Sequence, residues 1–228
     1  MPTTSSSSIH SATDRILDAA EKLFAAHGFD GVSLRQLTIE AGANVASVNY
    51  HFGDKQSLYT EMIARRIRPL NAARLAALEK AEAASSGLPA PLDTVFEILA
   101  RPLFELSQDT VGGGSDFIRI LGRSLAEPVP FMDALVASEF QPTLGRFGQA
   151  VRRNVPRLSP EDFLWRFSFV VGAMQHTFST LHCMSKLTRG ICRDHDHEGA
   201  LRHFLDFAVA AFAAPDGAAT IRQAAIQT

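Results

Sequence analysis

The segment from Ser33 to Lys55, SLRQLTIEAGANVASVNYHFGDK, allows few folds because it encodes two short helices with a single tight turn between them. Ser33 and Gln36 have the spacing of a capping box, in which each side chain bonds a backbone amide at the start of a helix. Gly42 supplies the turn, because glycine accepts a positive φ without a steric clash. Asn44 can cap the helix that follows. The segment therefore predicts a pair of packed helices whose angle is fixed by the turn.

The second of these helices has a face whose side chains are small or form hydrogen bonds. Val45, Val48 and Phe52 recur at helical spacing and are expected to point inward. The outer face then consists of Ala46, Ser47, Asn49 and Tyr50. A helix that enters the DNA major groove needs small side chains for close approach and polar groups for base edges. A hairpin of an ordinary helical bundle shares this pattern, so the pattern alone leaves both interpretations open.

The sequence RILDAAEKLFAAHGFDGVSLRQLTIEAGANVASVNYHFGDKQSLYTEMI resembles the DNA-binding domain of the tetracycline-repressor (TetR) family, over roughly residues 10–70. The resemblance implies an all-α protein, in which a three-helix domain with a helix-turn-helix at residues 33–52 precedes a helical effector-binding and dimerisation domain. Many members carry Gly in place of Ala46 and Tyr in place of Asn49, so the base-reading set is expected to differ here. The residues assigned to DNA contact are Ser33, Arg35, Gln36, Asn44, Val45, Ala46, Ser47, Asn49, Tyr50, His51 and, on the phosphate backbone, Lys55.

Composition predicts a folded cytoplasmic protein. The chain has 228 residues, of which 46% are hydrophobic and 20% charged, enough to bury a sizeable core. The two cysteines, Cys183 and Cys192, do not form a secreted disulfide framework. The polar start MPTTSSSSIH lacks the apolar run of a signal peptide, and no apolar stretch is long enough to span a membrane. We therefore expect a soluble protein with no membrane partner.

Charge gives no support to nucleic-acid binding. The net charge is -2, and residues 1–68 carry seven basic and seven acidic side chains. Three of the basic residues form a cluster, Arg65, Arg66 and Arg68. Affinity for DNA would have to come from a local positive face, from helix N-termini and from doubling of the site in a dimer.

Further along the chain, the sequence predicts helices joined by loops, with no alternating pattern that indicates a strand. The first helix is expected over residues 12–27, capped by Ser11 or Thr13, and a long helix over 54–84 with a kink or break at Pro69. The later helices are expected over 92–107, with a kink at Pro102, and over 116–126, 131–155, with a disturbance at Pro142, 159–184 and 201–212. The domain prediction is a disordered arm at 1–9, a DNA-binding domain at 10–70, an effector and dimerisation domain at 71–214 and a flexible tail at 215–228.

The helix from Ser159 is apolar over well over half its circumference, which favours a partner on each side. We predict that it and the 201–212 helix pair with their copies across a two-fold axis. A monomeric bundle that simply buries both helices is the alternative. The residues predicted for this interface are Trp165, Phe169, Gly172, Phe204, Ala208 and Phe212.

The 16 phenylalanines, most of them after residue 90, indicate either a solid aromatic core or a large apolar cavity. The stretch LWRFSFVVGAMQHTF also resembles the fatty-acid-responsive PsrA-type branch of the family, and this resemblance implies an acyl chain, an acyl-CoA or another hydrophobic effector. The predicted lining is Phe117, Leu121, Phe167, Met174, Phe178 and His176, the last as a polar handle or an ordinary core histidine.

Other site chemistries find weaker support. Cys192, His195 and His197 are metal-ligand types, but they lack the paired spacing of a structural zinc site. No nucleophile elbow, HExxH motif or phosphate loop is present, so no cofactor and no enzymatic activity are expected. The sequence thus predicts a homodimeric, ligand-responsive regulator, with a helical lipid-binding or enzymatic protein that does not bind DNA as the alternative.

Overall fold

The computed structural model describes residues 11–126, 131–194 and 196–214, and within these ranges the chain is all-helical. The predicted arm at 1–9 and tail at 215–228 lie outside the described residues. None of the described helices is both long and apolar enough to cross a membrane. The helices are α1 (Ala12–His27), α2 (Leu34–Glu40), α3 (Val45–Phe52), α4 (Lys55–Ala84), α5 (Leu92–Gln108), α6 (Gly114–Ala126), α7 (Met132–Leu135), α8 (Gln141–Asn154), α9 (Pro160–Thr180), α10 (Met184–Leu187) and α11 (His197–Ala213).

The first three helices form a small domain closed by the start of α4. Ser11, rather than Thr13, caps α1, and its hydroxyl accepts a hydrogen bond from the Asp14 amide. Gly28 ends α1 with φ 71°. The side chains that form this core are fully buried and come from all four helices: Ile16, Phe24, Leu37, Val48, Leu58 and Met62. The three-helix arrangement predicted from the sequence is confirmed.

The long helix α4 continues through Pro69 without a break. The break considered at this position does not occur, because buried side chains on both sides of the proline hold the helix in register. Ile67 precedes Pro69, and Asn71 and Leu78 follow it, all in the protein interior. Helix α5 likewise runs through Pro102. The predicted domain boundary near residue 70 thus falls inside one helix, and its position stays a prediction.

The second domain is built around α5, which packs against α4, α6, α8, α9 and α11. Aromatic rings fill the space between α5 and α11: the ring centroids of Phe96 and Phe212 are 5.7 Å apart, and those of Phe104 and Phe204 are 6.5 Å apart. This packing favours the solid-core interpretation of the phenylalanines. It also explains why so many of them are needed, since each ring fills a gap between facing helices.

The helix predicted over 131–155 is disturbed before Pro142 rather than at it. A single π-helical turn, Val136–Phe140, separates α7 from α8, and Pro142 occupies the first turn of α8. Proline is tolerated there because the amide it lacks would have no helical partner. The irregularity therefore lies where the chain joins two helices against α4.

The C-terminal end of α4 is fixed to α8 by an ion pair. The Glu82 carboxylate accepts hydrogen bonds from both Nη atoms of Arg146, and Arg153 Nη2 lies 2.8 Å from Glu82 Oε1. Arg146 thereby lowers the pKa of Glu82 below its ordinary value of 4.5. A carboxylate with a lowered pKa stabilises the fold above its ordinary pKa, and the contribution is lost as the pH falls through the lower, folded-state value.

We expect Glu82→Gln to lower the free energy of unfolding at pH 7 by about 1 kcal/mol. The difference from the wild type should shrink below pH 4.5, as the unfolded wild-type chain takes up the proton, and vanish once the pH falls below the lowered pKa of the folded state. Urea unfolding at several pH values measures this, with Glu105→Gln, an exposed carboxylate on α5, as the control. If the difference in free energy of unfolding between Glu82→Gln and the wild type does not change with pH, the ion pair assigned to Glu82 is wrong.

Candidate nucleic-acid interface and core cavity

The pair α2 and α3 has the capped geometry expected of it. The Ser33 backbone amide donates to Gln36 Oε1 at 2.8 Å, and the Gln36 amide donates to Ser33 Oγ at 3.3 Å. Gly42 has φ 59° in the turn. Asn44 Oδ1 accepts from the Ser47 amide at 2.7 Å and caps α3. These local bonds fix where α3 begins, and therefore which of its side chains face outward.

The outer face of α3 is exposed as a continuous strip. Ala46, Asn49 and His51 are exposed, and the Tyr50 side chain is 86% exposed, while Val48 is completely buried on the opposite side. Val45, expected to point inward, is 42% exposed because it occupies the first helical position, beyond the core. Ile39 on α2 is also exposed.

The arginine cluster does not belong to this face. Arg65 Nη1 lies 2.8 Å from Asp18, Arg66 Nη2 lies 2.5 Å from Glu21, and Arg68 Nη1 lies 3.0 Å from Glu61. Each guanidinium is therefore neutralised within the chain. The cationic groups left beside α3 are Arg35, which is exposed, and Lys55, whose ammonium lies 4.3 Å from the centre of the Phe29 ring.

Glu21 joins the small domain to the second domain. Its carboxylate is almost fully buried and accepts from Arg65 Nη2 and Arg66 Nε, each at 3.1 Å. The same Arg66 side chain donates through Nη2 to the Gly112 carbonyl at 2.5 Å. Because Gly112 lies two residues before the start of α6, this carboxylate links α1, α4 and the second domain through one arginine.

A second link is a buried hydrogen bond between hydroxyl groups. The oxygens of Tyr59 and Ser124 are 2.6 Å apart, and Ser124 Oγ also lies 2.8 Å from the Ile120 carbonyl. Since the serine hydrogen is used toward that carbonyl, the tyrosine is the donor. Burial raises the pKa of the Tyr59 phenol, which therefore stays protonated at neutral pH. Phe131 packs on the same tyrosine with ring centroids 6.0 Å apart.

The second domain contains a small internal cavity of about 30 Å³. A larger pocket of about 620 Å³ lies between α9, α10 and α11, and His176 and Phe204 are among its lining residues. The internal cavity, by contrast, is on the scale of one or two water molecules. Three predicted residues line it, Leu121, Met174 and Phe178. Phe117 is buried but is not part of the lining, Phe167 stacks on Phe163, and His176 is exposed.

The polar part of this lining was missed by sequence reasoning. Arg74 is only 6% exposed, and its Nη1 donates to Asn71 Oδ1 at 3.3 Å. Asn71 Nδ2 donates in turn to the Glu139 carbonyl of the π-helical turn at 2.6 Å. The signal was present in the helical spacing, because Ile63, Ile67, Asn71, Arg74 and Leu78 form one buried stripe of α4.

The dimer face predicted on α9 is exposed, whereas the one predicted on α11 is not. The Trp165 and Phe169 side chains are 58% and 60% exposed and stack with ring centroids 5.7 Å apart. Gly172 is exposed on the same helix. The α11 prediction is wrong, because the protomer buries these side chains against α5 and α9: Phe204, Ala208 and Phe212. Phe207 and His203 are the exposed large side chains there.

The considered metal site falls partly outside the described residues, because His195 is not among them. Within the described ranges, no group of three or more histidine, cysteine or acidic side chains is arranged to hold a metal ion. The His197 ring nitrogen Nδ1 lies 3.1 Å from Ser107 Oγ, and Cys192 is exposed.

Two family descriptions match this chain. Residues 16–62 match "Bacterial regulatory proteins, tetR family", and residues 97–211 match "Tetracyclin repressor-like, C-terminal domain". The second match alone covers half of the chain. It spans α6 to α10 together with most of α5 and α11, whereas the first match covers the small domain, so the two matches together include both domains.

A similar characterised protein is the HTH-type transcriptional repressor AcnR of Corynebacterium diphtheriae, with 30% identity over 102 residues. The match covers 45% of this chain and 47% of AcnR, so the chain spans about half the length of that relative. Among solved structures, the fatty acid degradation regulator FadR of Bacillus halodurans superposes with a TM-score of 0.66 at 12% identity, covering 87% of this chain and 94% of FadR. The TetR family regulator PfmR of Thermus thermophilus gives 0.58 at 22% identity, over 86% and 98% of the two chains. At these identities the structural matches establish the fold alone.

Replacing Glu21 tests the link between the domains. We expect Glu21→Gln to lower the free energy of unfolding by about 1–3 kcal/mol, because charged hydrogen bonds from two arginines lose their acceptor. The matched control is Asp18→Asn, whose ion pair with Arg65 is on the surface and should contribute less than about 1 kcal/mol. Urea unfolding measures both. Equal losses of unfolding free energy in the two variants would show that the burial of Glu21 adds nothing to the stability of the fold.

Proposed function

The chain belongs to the TetR family of bacterial transcriptional regulators, and on that premise we propose that it is a homodimeric repressor released from a near-palindromic operator by a small hydrophobic effector. The observation that carries the proposal is the exposed outer face of α3 beside a buried Val48. A helix that is packed against the core on one side and exposed on the other is suited to enter a major groove. Family membership indicates a regulator rather than an enzyme.

In this proposal, α3 supplies the base contacts. Ala46 allows the helix to approach the groove, while the polar groups of Ser47, Asn49 and Tyr50 meet base edges. Val45 and Ile39 are placed for apolar contact with thymine methyl groups or sugars. Arg35, His51 and Lys55 would bind phosphates on either side of the helix. Ser33, Gln36 and Asn44 flank the face, with their side chains already engaged in helix caps.

Because the arginines of α4 are paired within the chain, high affinity for DNA requires a dimer. With Arg65, Arg66 and Arg68 bonded to carboxylates of the same chain, one reading domain has few cations left for phosphates. Two domains that bind two half-sites at once convert the second binding event into an intramolecular one. The spacing of the half-sites then matches the spacing of the two α3 helices.

The exposed apolar face of α9 is the surface we assign to the partner protomer. Leu164, Trp165 and Phe169 on α9 and Phe207 on α11 are large apolar side chains exposed in one protomer. Gly172, on α9 as well, has no atom within 4 Å of the position a Cβ would occupy. A second copy could therefore approach closely along α9. Members of this family usually form dimers, which supports the same assignment.

The effector is proposed to act from the second domain through α4. An effector that favours the DNA-incompetent arrangement by about 1–3 kcal/mol changes occupancy roughly 5- to 150-fold. An acyl chain or acyl-CoA is the hydrophobic candidate with a precedent, because the similar FadR is described as a regulator of fatty acid degradation.

Substitution of the outer face tests the DNA contacts. We expect Asn49→Ala and Tyr50→Ala each to weaken binding to the DNA upstream of the chain's own gene, by about 1–3 kcal/mol per half-site, because base-edge contacts are lost. An electrophoretic shift with that fragment and a scrambled one measures the loss, with circular dichroism to verify the fold. Lys80→Ala, at an exposed position of α4 far from α3, is the control. Unchanged binding by both α3 variants would contradict the contact assignment.

A charge on the α9 face tests the dimer. We expect Phe169→Asp to give monomers at micromolar concentration, because a carboxylate would be buried against the apolar face of the partner. Light scattering of the purified protein measures the mass. Leu88→Asp is the matched control, since Leu88 is an equally exposed leucine in the loop between α4 and α5. A monomeric wild type would remove the dimer and the operator model with it.

A further inference from the structure

The guanidinium of Arg74 lies in the interior with most of its hydrogen-bonding capacity unused. Its Nε and Nη2 have no hydrogen-bond partner in the described part of the chain. Burial lowers the pKa of Arg74 to about 9, so the group still carries its charge at neutral pH. A buried cation without an anion is strongly unfavourable. An unpaired buried guanidinium does not stabilise the fold. Its presence in this chain therefore points to a ligand.

The two unused nitrogens define the shape of that ligand. The Nε–H and the nearer Nη2–H of an arginine point in the same direction, and this edge matches the two oxygens of a carboxylate. The third nitrogen, Nη1, is held by Asn71 Oδ1. The guanidinium is therefore oriented by the protein, with its bidentate edge left free.

No carboxylate of the described residues lines the cavity beside Arg74. The walls are apolar except for three polar side chains, and they come from α4 through α9: Ile67, Asn71, Leu99, Leu103, Leu121, Phe140, Thr143, Leu144, Val171, Met174, Gln175 and Phe178. On the other side of Arg74, a surface groove between α4 and α5 contains Glu97 and Glu105. Arg101 Nε already bonds Glu97 at 3.0 Å. The cavity thus offers one positive charge in an apolar enclosure.

We propose that the effector is an amphipathic carboxylate, whose two oxygens bind Arg74 Nε and Nη2 and whose apolar body packs against Leu99, Leu103 and Met174. This inference rests on the proposed function, in that it assigns a chemical class to the effector of the same domain. Besides Asn71, the polar residues of the same lining are Gln175 and Thr143.

The body of such a ligand needs more room than the cavity has. About 30 Å³ holds little more than water, so a chain of several carbons must displace a wall. Phe140 and Leu144 are half-buried residues of the lining, as are Val171 and Gln175 on α9. Phe140 ends the π-helical turn. Such turns interrupt the regular hydrogen bonds of a helix and often occur at functional sites. We assign the expansion to this turn.

The same turn connects the ligand to the reading domain. Its Glu139 carbonyl accepts from Asn71, and its Glu139 carboxylate accepts from Arg68 Nε at 2.9 Å. Arg68 and Asn71 lie on α4, one turn or less from Ile67. A ligand that pushes Phe140 outward therefore pulls on α4 between its two domains.

The test uses the full-length protein and two matched series of probes, the straight-chain carboxylates from butanoate to dodecanoate and the primary alcohols of the same lengths. Calorimetric titration and thermal unfolding are measured without DNA. We expect at least one carboxylate to raise the Tm of the wild type and to bind at least about tenfold more tightly than its alcohol. If no carboxylate binds more tightly than the alcohol of the same length, the proposal is wrong.

Arg74→Met removes the charge and the guanidinium while keeping an unbranched apolar side chain that reaches about as far as Nε. We expect this variant without ligand to unfold at a higher temperature than the wild type, and its carboxylate affinity to fall about 10- to 100-fold. Arg74→Lys keeps the charge but loses the bidentate edge. Its carboxylate affinity should lie between those of the wild type and Arg74→Met. Lys80→Met, an exposed charge on the same helix, should behave as the wild type. Carboxylate binding that survives in Arg74→Met would overturn the proposal.

Inorganic phosphate and chloride separate this site from a simple anion site. If either ion stabilises the wild type as much as the best carboxylate does, the apolar part of the proposal is wrong. The operator shift assay keeps the proposed function distinct, because DNA binding by the free protein does not depend on Arg74. Operator binding without carboxylate binding would overturn only this inference, whereas carboxylate binding without operator binding would overturn only the proposed function.

Discussion

A single rigid helix belongs to two hydrophobic cores, and this constraint governs the rest of the molecule. The first turns of α4 bury Leu58 and Met62 among α1, α2 and α3, and its middle buries Ile67, Asn71 and Arg74 among the helices of the second domain. Met62 and Arg74 are twelve residues apart, which is roughly 18 Å along the axis. Any displacement of the second core that α4 follows must also reach the reading helix.

The contacts beside α4 determine how such a displacement is transmitted. The Glu21 carboxylate and the Tyr59 hydroxyl fasten the small domain to the residues around α6, so α4 cannot move there alone. The polar links near Asn71 and Arg68 instead involve the π-helical turn. One end of the helix is thus clamped by buried polar groups and the other is held against an irregular, half-buried segment. Movement is expected to begin at the second end, where less packing has to be broken.

Sequence reasoning succeeded where local rules determine structure and failed where tertiary packing does. Ser33, Gln36 and Asn44 could be identified as caps because the bonds they make span three residues. The positions of Phe204 and Phe212 could not, since an apolar helix face looks the same whether its partner is α5 of the same chain or another protomer. Arg65 and Arg66 looked like a basic cluster, because their partner Glu21 is more than forty residues away in the sequence. Arg74 received no prediction, because a single arginine in a helical segment gives by itself no sign of whether its side chain is buried.

The arginines of α4 are paired with carboxylates in one domain, and one arginine of the same helix is left unpaired in the other. This difference suits a protein that changes between two states. In the N-terminal domain, the arginines of α4 are neutralised by carboxylates of the same chain. In the proposed dimer, affinity for DNA would therefore depend on the spacing of the two copies more than on charge. In the second domain, one arginine is left without a counter-charge in an apolar enclosure. In the proposed function, a repressor whose affinity depends on spacing would need only a small displacement to be released, and the buried unpaired cation would give a small anion the free energy with which to cause it. On that proposal, the stability that the chain loses at Arg74 is the same quantity that would let an effector act.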